Sequence, residues 1–577
     1  MKKIIYMVVA GLILLTACEN FLDTENLVKK DTSNFPYSES DAIQMITGIY
    51  STMNNAVQNP EDNPFYVYEM AGDDRLGGGS TSNRGAQSTD RLLNNKVSMF
   101  ENIWTVRYSG IFRANNAIAT IDNVESWSTN GKREQLLGEA HFLRAFFYFD
   151  MVQLFGSVPL VLETTPQNLP KSPADEIYAQ VTYDLLKAIE YFPSAKYPDF
   201  ELGHATKWAA EALLSRVYLF YTGFYEKTSL PVAGSDKTIG KAEVISYLED
   251  CINNSGHDLV SDQRNLWPYT NPYTAPYYSY AKDKGLAWEG ENNKECLFSL
   301  CFSNTTEFSG TTGYTYSSGY ANRIVEFFNP RKAGSTTAFP FIPTGYSNGP
   351  ASYKLWTDWA ADPDYAGDYR REGSICDKAT EMPDYAGDPS KEVENTGLVC
   401  KKYLGCGAYD ESGTLYQSYA YFYGGQNDKQ KGLTQNIIFI RLADVLLMHS
   451  ELTETNTGLN RVRVRAGLKP VDYSLDALKK ERRYELCFEA LRWNDLRRWG
   501  EVQQIVDNQT GEPITNRGNV DTYKFDPAFD FMTRYKATKG FWKIPDSQIT
   551  LSNGILLQNE GWDEESSDWT KLPYSTL

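Results

Sequence analysis

Apolar residues recur at helical spacing before residue 255 and again after residue 430, and the long passage between them almost lacks that spacing. This interruption constrains the fold more than any other feature. In "DAIQMITGIYSTMNN" (41–55), Ile43, Ile46 and Ile49 share one side behind Ser40, which reads as an N-cap. The stretch "IWTVRYSGIFRANNAIATI" (103–121) follows. "GKREQLLGEAHFLRAFFYFDMVQLFG" (131–156) lines up Leu136, Ala140, Leu143 and Phe147, and Gly156 ahead of Val158 and Pro159 reads as a helix stop. "ADEIYAQVTYDLLKAIEYF" (174–192) repeats the stripe with Ile177, Val181, Leu185 and Ile189. "TKWAAEALLSRVYLFYTG" (206–223) supplies Ala209, Ala210 and Ala212, small enough for a neighbouring helix to approach closely. A shorter helix is expected over 241–252. These helices come in pairs, and a pair cannot bury its apolar face alone, so neighbours must stack in the manner of tetratricopeptide repeats.

Between 256 and 430, Gly, Pro, Asn, Ser and Tyr dominate. A passage this long is improbable as a bare loop and should form a subdomain. Helical periodicity returns in "IIFIRLADVLLMHSEL" (437–452) and "LDALKKERRYELCFEALRWNDLRRWG" (475–500). The expected division is therefore a helical region over 18–255, a loop-rich ligand-binding subdomain over 256–430, and a C-terminal helical region with a tail over 431–577.

Residues 1–17 stand apart. Two lysines, an apolar run too short for the roughly 20 residues of a spanning helix, and small residues form a secretory signal peptide. Leu15-Thr16-Ala17-Cys18 resembles a bacterial lipobox, which implies cleavage before Cys18 and lipidation of its thiol and amino group. Several acyl chains anchor a protein stably where one would not.

A formal net charge of -18 repels phosphate backbones, which argues against nucleic acid as a partner. The four histidines (His141, His204, His257 and His449) have no metal-ligand spacing. Seven cysteines follow Cys18, too many to pair fully within the chain, and their spacing fixes no connectivity. Cys487 reads as a buried free thiol on a helix.

Several segments resemble signatures of the SusD/RagB-like outer-membrane nutrient-binding lipoproteins of Bacteroidetes. They are "CENFLD" after the lipobox, "RANNAI" (113–118), "GEAHFLRAFFYFDMVQLFGSVPLV" (138–161), "IFIRLADVLLMHSE" (438–451), "ERRYELCFEALRWNDLRRWG" (481–500) and "WKIPDSQITLSNGILLQNEGW" (542–562). The resemblance implies a mainly α fold, a right-handed superhelix of four tetratricopeptide-like helix pairs with a large loop-rich insert. It implies a lipid-anchored outer-membrane protein facing the cell surface, which hands an oligosaccharide to a SusC-like TonB-dependent transporter. RagB-like members of the same system take peptides instead. No catalytic residue and no cofactor are implied. Within the signature, Glu481, Arg482, Glu485, Glu489 and Arg492 are expected to lock the last helix pair through partly buried salt bridges.

A sugar site needs planar aromatics for ring faces and carboxylates, amides or Arg for hydroxyl edges. "YEMAGDDRLGGGSTSNRG" (68–85) offers Asp73, Asp74 and Arg75, and "FENIWTVRY" (100–108) offers Trp104; the resemblance places Asp73, Asp74 and Trp104 near the family's ligand contacts. Trp104 fits a helix core equally well. "NLWPYTNPYTAPYYSYAKDKGLAW" (265–288) carries Trp267, Tyr269, Tyr273, Tyr277, Tyr278, Tyr280 and Trp288, broken by prolines that preclude a buried helix. Tyr314 in "GTTGYTYSSGY" and Trp356 in "YKLWTDW" complete the set. The alternative is that these rings fill the subdomain's own core or face the transporter. "PDYAGD" occurs twice, and Asp362, Asp364 and Asp368 around the first copy could offer oxygens to calcium, although without the spacing of an EF-hand. Two rival classes remain: a glycoside hydrolase using carboxylates such as Asp358 and Asp362, and a tetratricopeptide scaffold that binds through its helical groove.

Overall fold

The helical stripes become helices close to where the periodicity places them. The structure is a computed structural model that describes residues 35–55, 63–93, 100–303, 307–309, 313–315, 321–331, 339–342, 345–385, 387–423, 433–525 and 530–562. The first six major helices are α1 (Glu39–Asn55), α2 (Glu101–Thr120), α3 (Lys132–Phe155), α4 (Ala174–Tyr191), α5 (Lys207–Phe224) and α6 (Lys241–Asn254). The subdomain contributes strand β1 (Cys296–Leu300), helix α7 (Tyr353–Ala361) and several 3-10 turns and two-stranded hairpins. Strand β2 (Ile437–Arg441) leads directly into α8 (Leu442–Thr453), followed by α9 (Thr457–Arg465), α10 (Leu475–Leu486), α11 (Arg492–Arg498) and α12 (Phe531–Thr538).

Each helix from α1 to α6 packs on its predecessor in this series, and α6 then packs on α8, which packs on α9 and α10. The stack thus continues across the insertion as though the subdomain were spliced out. Helix α3 is its centre: every residue from Leu136 to Phe155 is buried. The stripe along Leu136, Ala140, Leu143 and Phe147 describes only one of its packed faces. The polar residues between are paired, His141 and Arg144 with Asp184 at 2.7 and 2.6 Å and Asp150 with Arg107 at 2.9 Å, as buried charges require. Gly156 ends α3 at φ 73°, and a Cβ there would lie 3.0 Å from the Phe541 ring. At the start of α1 the capping hydroxyl is Ser38, accepting from Asp41 N at 3.3 Å, rather than Ser40.

Two segments differ from the sequence expectation. Ile437–Arg441 is not the start of a helix but a strand, antiparallel to Cys296–Leu300. A short apolar run suits a buried strand or a buried helix, and here a partner about 140 residues earlier decides. The expected helix over 475–500 is two helices. Arg441 Nη2 and Lys402 Nζ donate to the Glu485 carbonyl at 2.7 and 3.0 Å, and Phe488 and Ala490 adopt positive φ. The carbonyl that would continue the helical ladder is taken by side chains from elsewhere.

Seven free thiols lie among the described residues; Cys487 is buried, as expected, but just beyond the end of α10 rather than within it. No helix among the described residues is long and apolar enough to cross a membrane. Residues 1–17 and Cys18 lie outside the described residues.

Candidate functional site

The subdomain carries a ridge of half-exposed aromatic rings. Its base is the turn Pro268–Thr274, fixed by the fully buried side chain of Asn271. Asn271 Oδ1 accepts the N–H groups of Tyr273 and Thr274, both at 2.9 Å, and its Nδ2 donates to the Pro268 carbonyl at 2.7 Å. This side-chain turn projects Pro272 and Tyr273 outward. Thr274 Oγ1 donates to the Gly407 carbonyl at 2.5 Å and ties the turn to the hairpin formed by Gly407–Tyr409 and Leu415–Gln417.

Two groups of rings meet on this base. Tyr273, 38% exposed, lies 4.6 Å from Tyr421 and 4.8 Å from Phe422 between ring centroids, both edge to face. Trp288 lies 5.5 Å from the same Phe422. Tyr277, 60% exposed, meets Tyr409 at 5.7 Å and Phe339 at 5.9 Å, and those two rings are 4.7 Å apart. Edge-to-face packing fixes a ring's orientation without covering both of its faces, so the ridge holds oriented rings with open area. Polar groups flank it. Tyr419 Oη donates to Glu291 Oε1 at 2.6 Å, and burial pushes the Glu291 carboxyl up to about 7 despite that bond. At the hairpin tip Asp410 Oδ1 accepts from Ser412 Oγ at 2.6 Å, which holds its pKa below the usual carboxylate range.

Other residues expected to contact a ligand are inside the protein. Asp73 and Asp74 are 0% and 4% exposed. Asp73 meets Arg492 at 2.6 Å and Arg483 at 3.1 Å, and Asp74 meets Arg483 at 3.0 Å. Burial alone would raise the pKa of Asp73, but the two guanidiniums outweigh it and hold it well below the usual range. Arg75 pairs with Glu69 at 2.6 Å and lies over the rings of Phe328 and Phe488. The loop is a buried clamp on α10 and α11, and these three side chains offer no surface to a ligand. Trp267 and Tyr269 are likewise buried: Trp267 packs edge-on against Tyr403 at 5.6 Å, and Tyr269 Oη donates to the Gly373 carbonyl at 2.9 Å. They anchor the turn from which Tyr273 projects.

Trp104 and Trp356 lie away from these clusters. Trp104 is 4% exposed, packed against Phe155 at 5.2 Å, and lines a groove of roughly 600 Å³ with Tyr108, Pro159 and Leu551. Trp356 stands half-buried on α7 with the Arg371 guanidinium 4.1 Å over its ring. Tyr314 lies on the short strand Gly313–Thr315, and its side chain is outside the described residues. The acidic turn does not converge on a cation: Asp368 is bound by Arg370 at 2.8 Å and Trp359 Nε1 at 3.1 Å, and Asp362 by Lys480 at 2.8 Å. Among the described residues no group of three or more metal-ligating side chains could hold a metal. Asp358 is paired with Lys354 at 2.8 Å.

The ridge brings together Tyr273, Tyr277 and Trp288 from one sequence segment. The reading of the sequence missed Phe339, Tyr409, Tyr419, Tyr421 and Phe422; the run "YQSYAYF" (416–422), with four aromatics in seven residues, was the available signal for three of them.

The helices of the "ERRYELCFEALRW" signature do more than lock one helix pair. Glu485 receives Arg370 at 2.7 Å, Arg441 at 2.5 Å and Arg465. Glu481 receives Arg370 at 2.6 Å and Arg463 at 3.2 Å, and Glu489 receives Arg441 and Lys402, each at 2.7 Å. Arg370 and Lys402 come from the subdomain, so this buried network bolts the subdomain to the stack.

Residues 20–219 match a family model described as SusD-like, starch-binding associating with outer membrane, and residues 294–562 match the model of the SusD family. The SusD-like protein P25 of Formosa agariphila is 24% identical over 544 residues, covering 88% of this chain and 92% of that protein. Among solved structures, a laminarin-binding SusD-like protein superposes with a TM-score of 0.66 at 23% identity, covering 91% of this chain and 100% of the other. Surface glycan-binding protein A from Bacteroides thetaiotaomicron, in complex with laminarihexaose, superposes with a TM-score of 0.67 at 17% identity, covering 90% and 99%.

Proposed function

The chain belongs to the SusD family, and on that premise we propose that it is a cell-surface glycan receptor whose sugar platform is the aromatic ridge. Family membership makes it a binding protein rather than an enzyme. The observation that carries the reading is the exposure of Tyr273 and Tyr277 on a base locked by Asn271. A pyranose presents an apolar C–H face that stacks on an oriented ring, and its hydroxyl edges find carboxylates and hydroxyls such as those of Asp410 and Ser412. Rings held by their neighbours lose little freedom on binding, which favours affinity. The solved relatives whose names record laminarin or laminarihexaose make a β-glucan the first ligand to test.

In this proposal Cys18 carries the lipid that holds the protein on the outer membrane, and a SusC-like TonB-dependent transporter receives the captured oligosaccharide. Isothermal titration of the full chain against a glycan panel that includes laminarihexaose, and against a mixed peptide pool, tests it. Binding to at least one glycan is expected; binding to peptides alone would replace this reading with the RagB-like one.

A further inference from the structure

One carboxyl group beneath the ridge joins its rings to the helical stack. Tyr419, Tyr421 and Phe422 stand on the short helix Ser418–Tyr423. Tyr419 is 4% exposed, and its ring meets Trp288 at 5.9 Å and Phe422 at 6.0 Å, both edge to face. Phe422 in turn meets Tyr273 at 4.8 Å. The angle of the Tyr419 ring therefore passes to Trp288 and Phe422, and through Phe422 to Tyr273. A buried tyrosine is fixed by the partner of its hydroxyl as well as by its packing, and Tyr419 Oη donates to Glu291 Oε1 at 2.6 Å.

Glu291 is held from both sides. The N–H groups of Trp288 and Glu289 donate to the Thr270 and Asn265 carbonyls at 3.1 and 2.9 Å, which lays this segment along the base of the ridge. Glu291 Oε1 also accepts the N–H of Asn436 at 3.2 Å, and Asn436 immediately precedes β2, which leads into α8. A single oxygen thus receives one donor from the ridge and one from the stack. Among the described residues, the titratable groups that face Glu291 are the Tyr419 hydroxyl and, from β1 and its end, the thiols of Cys296 and Cys301. Within its own segment Glu289 is exposed, and Glu295 is taken by Arg441 and Arg465. Burial pushes both thiols up, so they stay neutral, and it pushes the Glu291 carboxyl up to about 7. No arginine or lysine among the described residues offsets that burial, as Arg465, Arg441 and Arg370 do at Glu485. A carboxylate accepts hydrogen bonds more strongly than a carboxylic acid, so one proton weakens both contacts of this oxygen.

Taking the ridge as the sugar platform, we propose that Glu291 is its positioning residue: the carboxylate, acting through Tyr419, holds Trp288 and Phe422 at the angle a sugar ring meets, and a proton gained there slackens them. Glycan affinity is then greatest above pH 7 and falls as the carboxyl is protonated. Two readouts on the full chain test this. The first is Trp288 fluorescence, taken as the difference between the parent and Trp288→Phe, followed from pH 8 to pH 6 without ligand. A step near pH 7 is expected, and Glu291→Gln, which keeps an acceptor but cannot ionise, should abolish it. The second is calorimetric titration with laminarihexaose at pH 8 and at pH 6. Affinity should fall about fivefold at the lower pH, the ratio that separates a charge-assisted from a neutral hydrogen bond. Glu291→Gln and Tyr419→Phe should each bind equally at both pH values, at the weaker, low-pH affinity of the parent. A purely structural carboxyl would change the affinity without changing its pH profile. No laminarihexaose binding at either pH would overturn the tuning of affinity together with the ridge reading, and an intact fluorescence step tells that case apart. A missing step, a step that persists in Glu291→Gln, or a pH-indifferent affinity in a chain that binds would overturn this proposal alone.

Discussion

The subdomain meets the rest of the molecule in two opposite ways. Against α10 it offers Arg370 and Lys402 to a network in which Glu481, Glu485 and Glu489 are wholly or almost wholly buried and satisfied. Toward solvent it offers Tyr273 and Tyr277, whose rings are oriented by neighbours yet partly open. The first region has no valence left for a ligand. The second has fixed geometry and unused surface. Rich functional-group chemistry in a sequence is therefore no guide to a binding site on its own; what matters is whether the fold has already consumed it.

The largest effect should come from breaking the network. Glu485→Ala removes the carboxylate shared by Arg370, Arg441 and Arg465, leaving Arg370 to Asp368 and Glu481, and Arg441 and Arg465 to share Glu295, with Glu489 also on Arg441. A loss of about 3–5 kcal/mol is expected from removing one member of a buried ion pair, read as a shift in the denaturant midpoint. An unchanged midpoint would mean that the subdomain is held by its apolar contacts alone.

Acid attacks the same kind of site. Burial would raise the pKa of Asp444, but Arg216 and Arg482 outweigh it and hold the group at about 2, against an ordinary 3.8. Glu485 is depressed in the same direction, with burial again opposed by Arg465, Arg441 and Arg370. A depressed carboxylate stabilises the fold above its unfolded pKa, and that contribution is lost as pH falls through the folded value. The contribution of these two carboxylates should therefore be complete above about pH 5 and be lost on acidification, by roughly 2 kcal/mol between pH 4 and 2 for Asp444 alone. In Asp444→Asn, denaturant curves across that window should show a shallower acid limb than the parent.

A smaller change should appear where the two regions join. Asn271→Ala removes four hydrogen bonds from the turn below the ridge, with an expected cost of roughly 1–3 kcal/mol for stranding buried backbone groups. Glycan affinity should weaken as well, although Asn271 is fully buried. Unaltered affinity would show that the rings are positioned by one another and not by the turn.

The sequence made the helical stack legible because its stripes are local: Ile177, Val181, Leu185 and Ile189 need no distant partner to be read. It hid what long-range pairing decides. Asp73 and Asp74 look like exposed loop carboxylates until Arg483 and Arg492, some 400 residues later, close on them. The break after Leu486 is invisible because Arg441 and Lys402, which capture the Glu485 carbonyl, lie in other segments. In "NLWPYTNPY" the prolines exclude a helix, but nothing local separates Trp267 and Tyr269, which point inward, from Tyr273, which points outward. Only the turn held by Asn271 does that.

The central claim is that the ridge binds sugar and the network does not. Its most direct test is the double variant Tyr273→Ala/Tyr277→Ala, titrated with whichever glycan the parent binds, beside its thermal unfolding. Because both rings are partly exposed, stability should change by less than about 1 kcal/mol, as for surface positions, while affinity falls at least ~30-fold for two stacked rings at roughly 1 kcal/mol or more each. Undiminished glycan affinity in a folded variant would contradict the account and move the site elsewhere on the molecule.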